Sequence, residues 1–342
     1  MKRAGSLPPF LAAGRVYVIA EAEINHNGKV ETALQMVETA KSLGADAVKF
    51  QYVVADEIAT RDSPYYDLFK KVELSEADFR QVFARAAAAG IDCFITVPSI
   101  ATLEPVLRLA PPILKIGSTN LTNIPLLREI GKSGVPVLIS TGLGTLGETE
   151  DALAALDATP ERVGLFHCTV KYPAPMAIVN LRAISTMQSA FPRYAVGYSD
   201  HTEGETAAVA AVALGARMIE KHFTLDRAQD GPDHSFSTDP AGFAKLLAAV
   251  RDAEAALGDG IKRAAGEEAA AIRGGRRYLV TAEPLRRGQA FTQANLIARR
   301  IPADVDGILP AMLDHIAGWQ APRDYSAGEA LSWGHFKPAQ HG

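Results

Sequence analysis

Short apolar runs alternate with amphipathic stretches over the first three quarters of the chain. The runs fall at 16–20, 45–50, 91–96, 113–116, 136–140, 163–167, 195–199 and 217–222, and they predict eight β-strands. They are continuously apolar, the pattern of parallel strands covered on both faces. Helix-like stretches at 31–42, 76–89, 101–109, 124–132, 148–156, 181–191 and 205–213 separate them, and another at 240–257 follows the last strand. Gly44, Gly90, Gly134 and Gly215 stand just before strands, where a left-handed residue closes the preceding helix. Eight strand–helix units in this order predict an α/β chain folded as a closed (β/α)8 TIM barrel. An open doubly wound sheet is the rival, and the lack of a Gly-rich dinucleotide loop after the first strand weakens it.

The pattern changes after about residue 257. We expect a barrel domain over 1–258, a linker with a helical piece over 259–275, and a small domain over 276–342. The small domain shows short strands and turns at 277–282, 288–291, 296–300 and 328–333. A domain of that size has a thin core and gains stability by packing on another surface.

Composition narrows the class. The chain has 342 residues, 48% hydrophobic and 22% charged, ordinary values for a globular protein. A net charge of −4 argues against a nucleic-acid surface. No apolar run is long enough to span a bilayer, and the opening Met1-Lys2-Arg3 stretch lacks the sustained apolar segment of a secretory leader. Cys93 and Cys168 lie in apolar runs and read as buried free thiols, which fits a cytoplasmic location.

In such a barrel the active site lies at the C-terminal strand ends. His201, in Gly197-Tyr198-Ser199-Asp200-His201-Thr202, and His222, in Glu220-Lys221-His222-Phe223-Thr224, close the seventh and eighth strands. A lone histidine there usually only caps the strand. Two at neighbouring ends, each among polar residues, point to a divalent metal able to polarise a carbonyl. Lys49 and Lys115 lie inside apolar runs, so they face the barrel mouth; among the strand-end hydroxyls Thr96, Ser118, Ser140, Thr141, Thr169 and Ser199 they make an anion site. A Schiff-base role for either lysine is the competing functional reading. Glu21 follows the first strand and can bind hydroxyls or move a proton. Asp226, Asp230 and Asp233 form an acidic loop after the eighth strand, of which Asp233 can bind sugar hydroxyls. Asn27-Gly28 reads as a turn, and Arg299-Arg300 as a solvated strand face.

The motifs together resemble the sialic acid synthase family, the nonulosonic acid synthases that join phosphoenolpyruvate to a 2-acetamido sugar. The segments Ile19-Ala20-Glu21 through Ile24-Asn25-His26-Asn27-Gly28 and Gly44-Ala45-Asp46-Ala47-Val48-Lys49-Phe50-Gln51 carry it. Lys115-Ile116-Gly117-Ser118, Leu138-Ile139-Ser140-Thr141-Gly142, and His167-Cys168-Thr169 with Tyr172-Pro173 follow in order. The two histidine motifs and Gly231-Pro232-Asp233-His234 complete the set, and the tail resembles an antifreeze-like (SAF) domain.

The resemblance implies a TIM barrel followed by that SAF domain, in a domain-swapped homodimer, with Mn2+ or Mg2+ on His201 and His222. It implies that Lys49, Lys115, Ser118, Ser140 and Ser199 surround phosphoenolpyruvate. Glu21, Gln51, Tyr172 and Asp233 would hold the open-chain N-acetylated aminosugar, and Arg300 of the other subunit would touch its N-acetyl region, against the solvated-face reading. Glu21, Lys49 and Glu220 are the catalytic candidates, Glu220 because it shares a strand face with His222. The acceptor resembles N-acetylmannosamine or a 2,4-diacetamido-6-deoxy hexose. Three positions depart from the resemblance: Glu23 replaces a small residue, Val97 a threonine, and Val170 an asparagine or serine. A Schiff-base aldolase, or a barrel that only binds sugar acids, are the competing readings.

Overall fold

The computed structural model of the chain describes residues 8–12 and 14–336. Met1-Lys2-Arg3 and the end of the 276–342 segment lie outside the described residues. The chain divides into two compact units, Met1–Asp259 and Gly260–Gly342. Among the described residues no helix is long and apolar enough to cross a membrane.

Eight parallel strands of the first unit close into a barrel in sequential order. They are β1 (Tyr17–Glu23), β2 (Ala47–Gln51), β3 (Asp92–Thr96), β4 (Leu114–Ile116), β5 (Val137–Ser140), β6 (Val163–Cys168), β7 (Ala195–Asp200) and β8 (Met218–His222). Pairing of β1 with β8, from Tyr17↔Met218 to Glu21↔His222, closes the ring. The helices are α1 (Pro9–Ala12), α2 (Val30–Leu43), α3 (Ala55–Ile58), α4 (Tyr66–Val72), α5 (Glu76–Ala89), α6 (Ile100–Arg108), α7 (Ile124–Lys132), α8 (Leu146–Leu156), α9 (Arg182–Ala190), α10 (Thr206–Ala213) and α11 (Pro240–Leu257). The expected TIM barrel is thus the observed one.

The two-residue period of each strand sorts its side chains between two cores. One set, including Val18, Ala20, Val48, Cys93, Ile95, Val97, Ile116 and Ile139, packs outward against the helices. The other set fills the barrel interior: Tyr17, Ile19, Ala47, Phe94, Ile113, Leu138, Phe166 and Met218, with Phe10 of α1 packed against them. Two residues further along each strand, the inward position belongs to the mouth. Ile19 leads to Glu21, Ala47 to Lys49, Phe94 to Thr96, Ile113 to Lys115, Leu138 to Ser140, Phe166 to Cys168 and Met218 to Glu220. A hydrocarbon plug therefore lies directly beneath the polar rim.

Two features differ from the sequence expectation. β1 runs past residue 20 to Glu23, because Glu21 and Glu23 stay paired with β2 across a register slip: Glu21↔Lys49 is followed by Glu23↔Phe50. Between β2 and α5 the chain makes an excursion through α3 and α4 that apolar periodicity does not announce, since both helices are short. Ile24, Val53 and Val72 anchor this excursion in a small core joined by Ile58, Leu68 and Phe69. The glycine caps expected at 44 and 90 are present, with φ of 94° and 69° and cap N–H groups bonded to carbonyls of the last turn.

The second unit has its own core of Leu279, Leu285, Phe291, Leu296, Ile308, Ile316, Ala321, Tyr325 and Leu331. A helix α12 (Glu267–Gly275) precedes an antiparallel pair, β9 (Tyr278–Thr281) with β10 (Leu296–Arg299). The strands expected at 288–291 and 328–333 shrink to isolated bridges, Ala290↔Gln320 and Val280↔Ala330. Turn glycines at 288 and 328, with φ of 86° and 79°, bend the chain at the start of each.

Helices α7 and α8 meet so closely at Gly131 that a Cβ there would overlap the Leu156 carbonyl. Gly131→Ala is expected to cost about 1–3 kcal/mol through this overlap. Thermal unfolding checks it: a lowered midpoint is expected, and an unchanged one contradicts the tight crossing.

Candidate active site at the barrel mouth

The C-terminal strand ends enclose a cavity of about 410 Å³. Glu21, Lys49, Gln51, Lys115, Ser118, Ser140, Tyr172, Ser199, His201, Glu220, His222 and Asp233 all line it. Every candidate site residue of the barrel named from the sequence is therefore in one place. Arg300, the remaining candidate, is exposed just beyond β10 in the second unit.

An ion-pair network occupies the floor. Glu220 accepts from Lys115 Nζ at 2.8 and 3.1 Å and from Ser199 Oγ at 2.8 Å. Lys49 Nζ lies 3.8 Å from the same carboxylate, donates to Thr96 Oγ1 at 2.8 Å, and pairs directly with Glu21. Lys115 also stands 5.2 Å above the Phe166 ring, a cation–π contact that helps hold it upright. Burial alone would raise Glu220, but Lys115 and Lys49 outweigh it and hold its carboxyl well below the usual range. Burial pulls the Lys49 ammonium down to about 7 against the opposing pull of Glu220. Direct contact with Glu21 further favours the charged amine.

The two histidines face each other across the rim, ring centroids 5.2 Å apart. Tyr172 packs on both, at 4.2 and 5.5 Å. His201 Nδ1 lies 2.8 Å from the Thr169 carbonyl, which can only accept, so Nδ1 carries the proton and Nε2 keeps its lone pair. Burial lowers the proton affinity of both imidazoles, and at His222 the neighbouring His201 lowers it further, so both stay neutral. His222 Nδ1 is buried with no hydrogen-bond partner. This orphaned nitrogen, a second neutral imidazole and nearby carboxylates form the mixed N/O donor set that suits a divalent transition metal. The residues present therefore fit such an ion.

Loops from two strands brace the acidic side of the rim. After β1, Asn25 Nδ2 donates to the Phe223 carbonyl at 2.9 Å and to Ser237 Oγ at 3.0 Å. Asn27 Nδ2 donates to the Asp230 carbonyl at 2.9 Å, and Thr224 Oγ1 meets His234 Nδ1 at 2.7 Å. These bonds fix the loop carrying Asp233 against the end of β1. Asn27-Gly28 is thus more than a turn; it is part of that brace.

Sequence reasoning missed several lining residues. Ile58, Tyr65, Leu68 and Phe69 of the α3–α4 excursion form an apolar flank of the cavity. The aromatic pair Tyr65-Tyr66 beside Leu68-Phe69, in a stretch with no assigned element, was the available signal. Glu23 enters the site, with its carboxylate 3.4 Å from His222 Nδ1. Of the other departures, Val170 lines the cavity and Val97 does not; Val97 is buried among the outer core residues.

Comparison with known proteins places the chain in a family. The NeuB family model matches residues 36–262, and the SAF domain model matches residues 276–337. An N,N'-diacetyllegionaminic acid synthase of Campylobacter jejuni is 36% identical, covering 93% of this chain and 99% of that protein. An uncharacterised protein of Methanocaldococcus jannaschii is 40% identical over 83% of this chain and 84% of its own length. Among solved structures, the N-acetylneuraminic acid (sialic acid) synthetase of Leptospira borgpetersenii superposes with a TM-score of 0.71 at 32% identity, over 75% of this chain and 90% of that one. With a barrel, a rim of paired lysines and facing histidines, and a family match over most of its length, this chain belongs to the NeuB family and ends in a SAF domain.

Proposed function

We propose that the chain is a nonulosonic acid synthase, a cytoplasmic transferase that condenses phosphoenolpyruvate with an open-chain N-acetylated aminosugar and releases phosphate. The observation that carries this reading is the single cavity in which two buried lysines, three serines and two imidazoles converge. Names of the relatives support the product class, since they include synthases of legionaminic, pseudaminic and N-acetylneuraminic acids.

Lys49 and Lys115 bind the phosphate and carboxylate of the enol phosphate, with the hydroxyls of Ser118, Ser140 and Ser199 fixing its oxygens. Their present partner, Glu220, stays beneath as a counter-charge; its low proton affinity suits that role better than that of a base. Glu21, Gln51, Tyr172 and Asp233 orient the sugar hydroxyls. His201 and His222 would hold a divalent ion, Mn2+ or Mg2+, which when bound would supply Lewis-acid polarisation of the sugar aldehyde. C3 of the enol phosphate attacks the aldehyde carbon, a C–C bond forms, and the aldehyde oxygen takes up a proton. Water adds at C2 and gives up a proton. Phosphate then leaves with the bridging oxygen, the C–O bond breaking as the C2 hydroxyl passes its proton to the departing phosphate and becomes the ketone. Glu21, paired with Lys49 at the rim, is placed to relay a proton. Arg300 reaches the N-acetyl group from the partner of a domain-swapped homodimer.

Lys49 carries one observation that favours a second reading. An amine drawn down toward 7 is the kind that forms a Schiff base. Borohydride trapping with substrate separates the two: a covalent adduct supports the aldolase, and none is expected.

Phosphate release from phosphoenolpyruvate with Mn2+ is the direct test, across N-acetylmannosamine and the diacetamido precursors of legionaminate and pseudaminate. Release with one acceptor, abolished by a chelator, is expected; silence with all of them contradicts the synthase. His222→Ala should abolish metal-dependent turnover while far-UV circular dichroism stays native; normal turnover removes the metal assignment. Arg300→Ala should raise the sugar KM well above any change in the phosphoenolpyruvate KM. An unchanged sugar KM argues against a partner's arginine in the site.

A further inference from the structure

Glu23 ends β1 in a conformation that side chains rarely adopt, with φ of 40°, at the register slip that pairs it with Phe50. Bulges of this kind re-aim side chains next to functional sites, and a strained non-glycine residue there persists when the surroundings hold it. Here the result is a carboxylate turned toward His222. One donor atom each from Glu23, His222 and Asp233 lies within 4.8 Å of the others. His222 is only 7% exposed, and its Nδ1, 3.4 Å from Glu23 Oε2, has no hydrogen-bond partner.

We propose that Glu23 is a ligand of the divalent ion, joining His222 and Asp233 in a three-donor cradle that ties the end of β1 to the loop after β8. This rests on the metal-dependent reading above and adds two oxygen donors to the histidine pair. Charge supports it. Of the four carboxyl groups lining the cavity, Glu21 and Glu220 pair with Lys49 and Lys115, whereas Glu23 and Asp233 lie close to each other beside His222. One divalent cation between Glu23 and Asp233 would hold both as carboxylates. Two carboxylates beside imidazole also bias the site toward oxygen-seeking ions such as Mn2+ over softer ones.

The experiment is direct binding of Mn2+ alone to the full chain, by isothermal titration and by loss of the free-ion paramagnetic resonance signal. Wild type, Glu23→Gln and Glu23→Gly are compared; the glycine variant suits the positive φ and guards against a folding defect. Both variants should bind Mn2+ at least about tenfold more weakly, the low end of what loss of a supporting group costs a metal site. Glu23→Asp should recover part of the affinity. Wild-type affinity in both Gln and Gly variants overturns the role of Glu23 while leaving the histidine site and the synthase standing. Absence of Mn2+ binding by the wild type overturns the cradle together with the metal-dependent reading. Phosphate release that survives chelation would remove that reading by a separate route.

Discussion

Everything at the mouth of this barrel depends on how Glu220 is balanced. Its carboxylate sits on the floor of the cavity, nearly out of water, and meets Lys115, Ser199 and, at longer range, Lys49. Removing one member of a buried pair leaves an uncompensated charge and typically costs about 3–5 kcal/mol. The lysines are thus held in place before substrate arrives, and their positions are set by the protein. An anion entering above them finds cations whose reorganisation has already occurred, the condition under which electrostatic stabilisation is strongest.

Strand periodicity makes this possible. Inward positions one layer below are Ile19, Ala47, Phe94, Ile113, Leu138, Phe166 and Met218, all fully buried. They exclude water from beneath the ion pairs and leave solvent access only from the mouth. The histidines extend the same logic one step outward. His222 lies two residues after Glu220 on the same face of β8, and His201 two residues after Ser199 on the path of β7. The groups proposed to hold phosphate and metal therefore stack along two adjacent strands.

This layering explains what the sequence disclosed. An ionisable residue inside an apolar run, as at Lys49, Lys115 and Glu220, has few places to go in a parallel barrel except the rim, so those positions were legible. Histidines at consecutive strand ends were legible for the same reason. Tertiary context hid the rest. The register slip at Glu21 and Glu23 follows from the pairing of β1 with both neighbours, which no local pattern records. Helices α3 and α4 are too short for periodicity to declare them, yet Tyr65 and Phe69 from that segment flank the cavity. In the second unit, residues 288–291 and 328–333 have strand composition but keep only single bridges, because turn glycines interrupt them. Thr96 shows the limit from the other side: nothing in the local sequence announces its bond to Lys49.

The central claim is that the lysine–serine floor holds an enol phosphate whose C–O bond breaks once the new C–C bond has formed. Turnover of phosphoenolpyruvate carrying heavy oxygen in the bridge between C2 and phosphorus tests it most directly. The account predicts that the label leaves in inorganic phosphate, read by mass spectrometry. Unlabelled phosphate would mean that the P–O bond had broken instead, and would contradict the account.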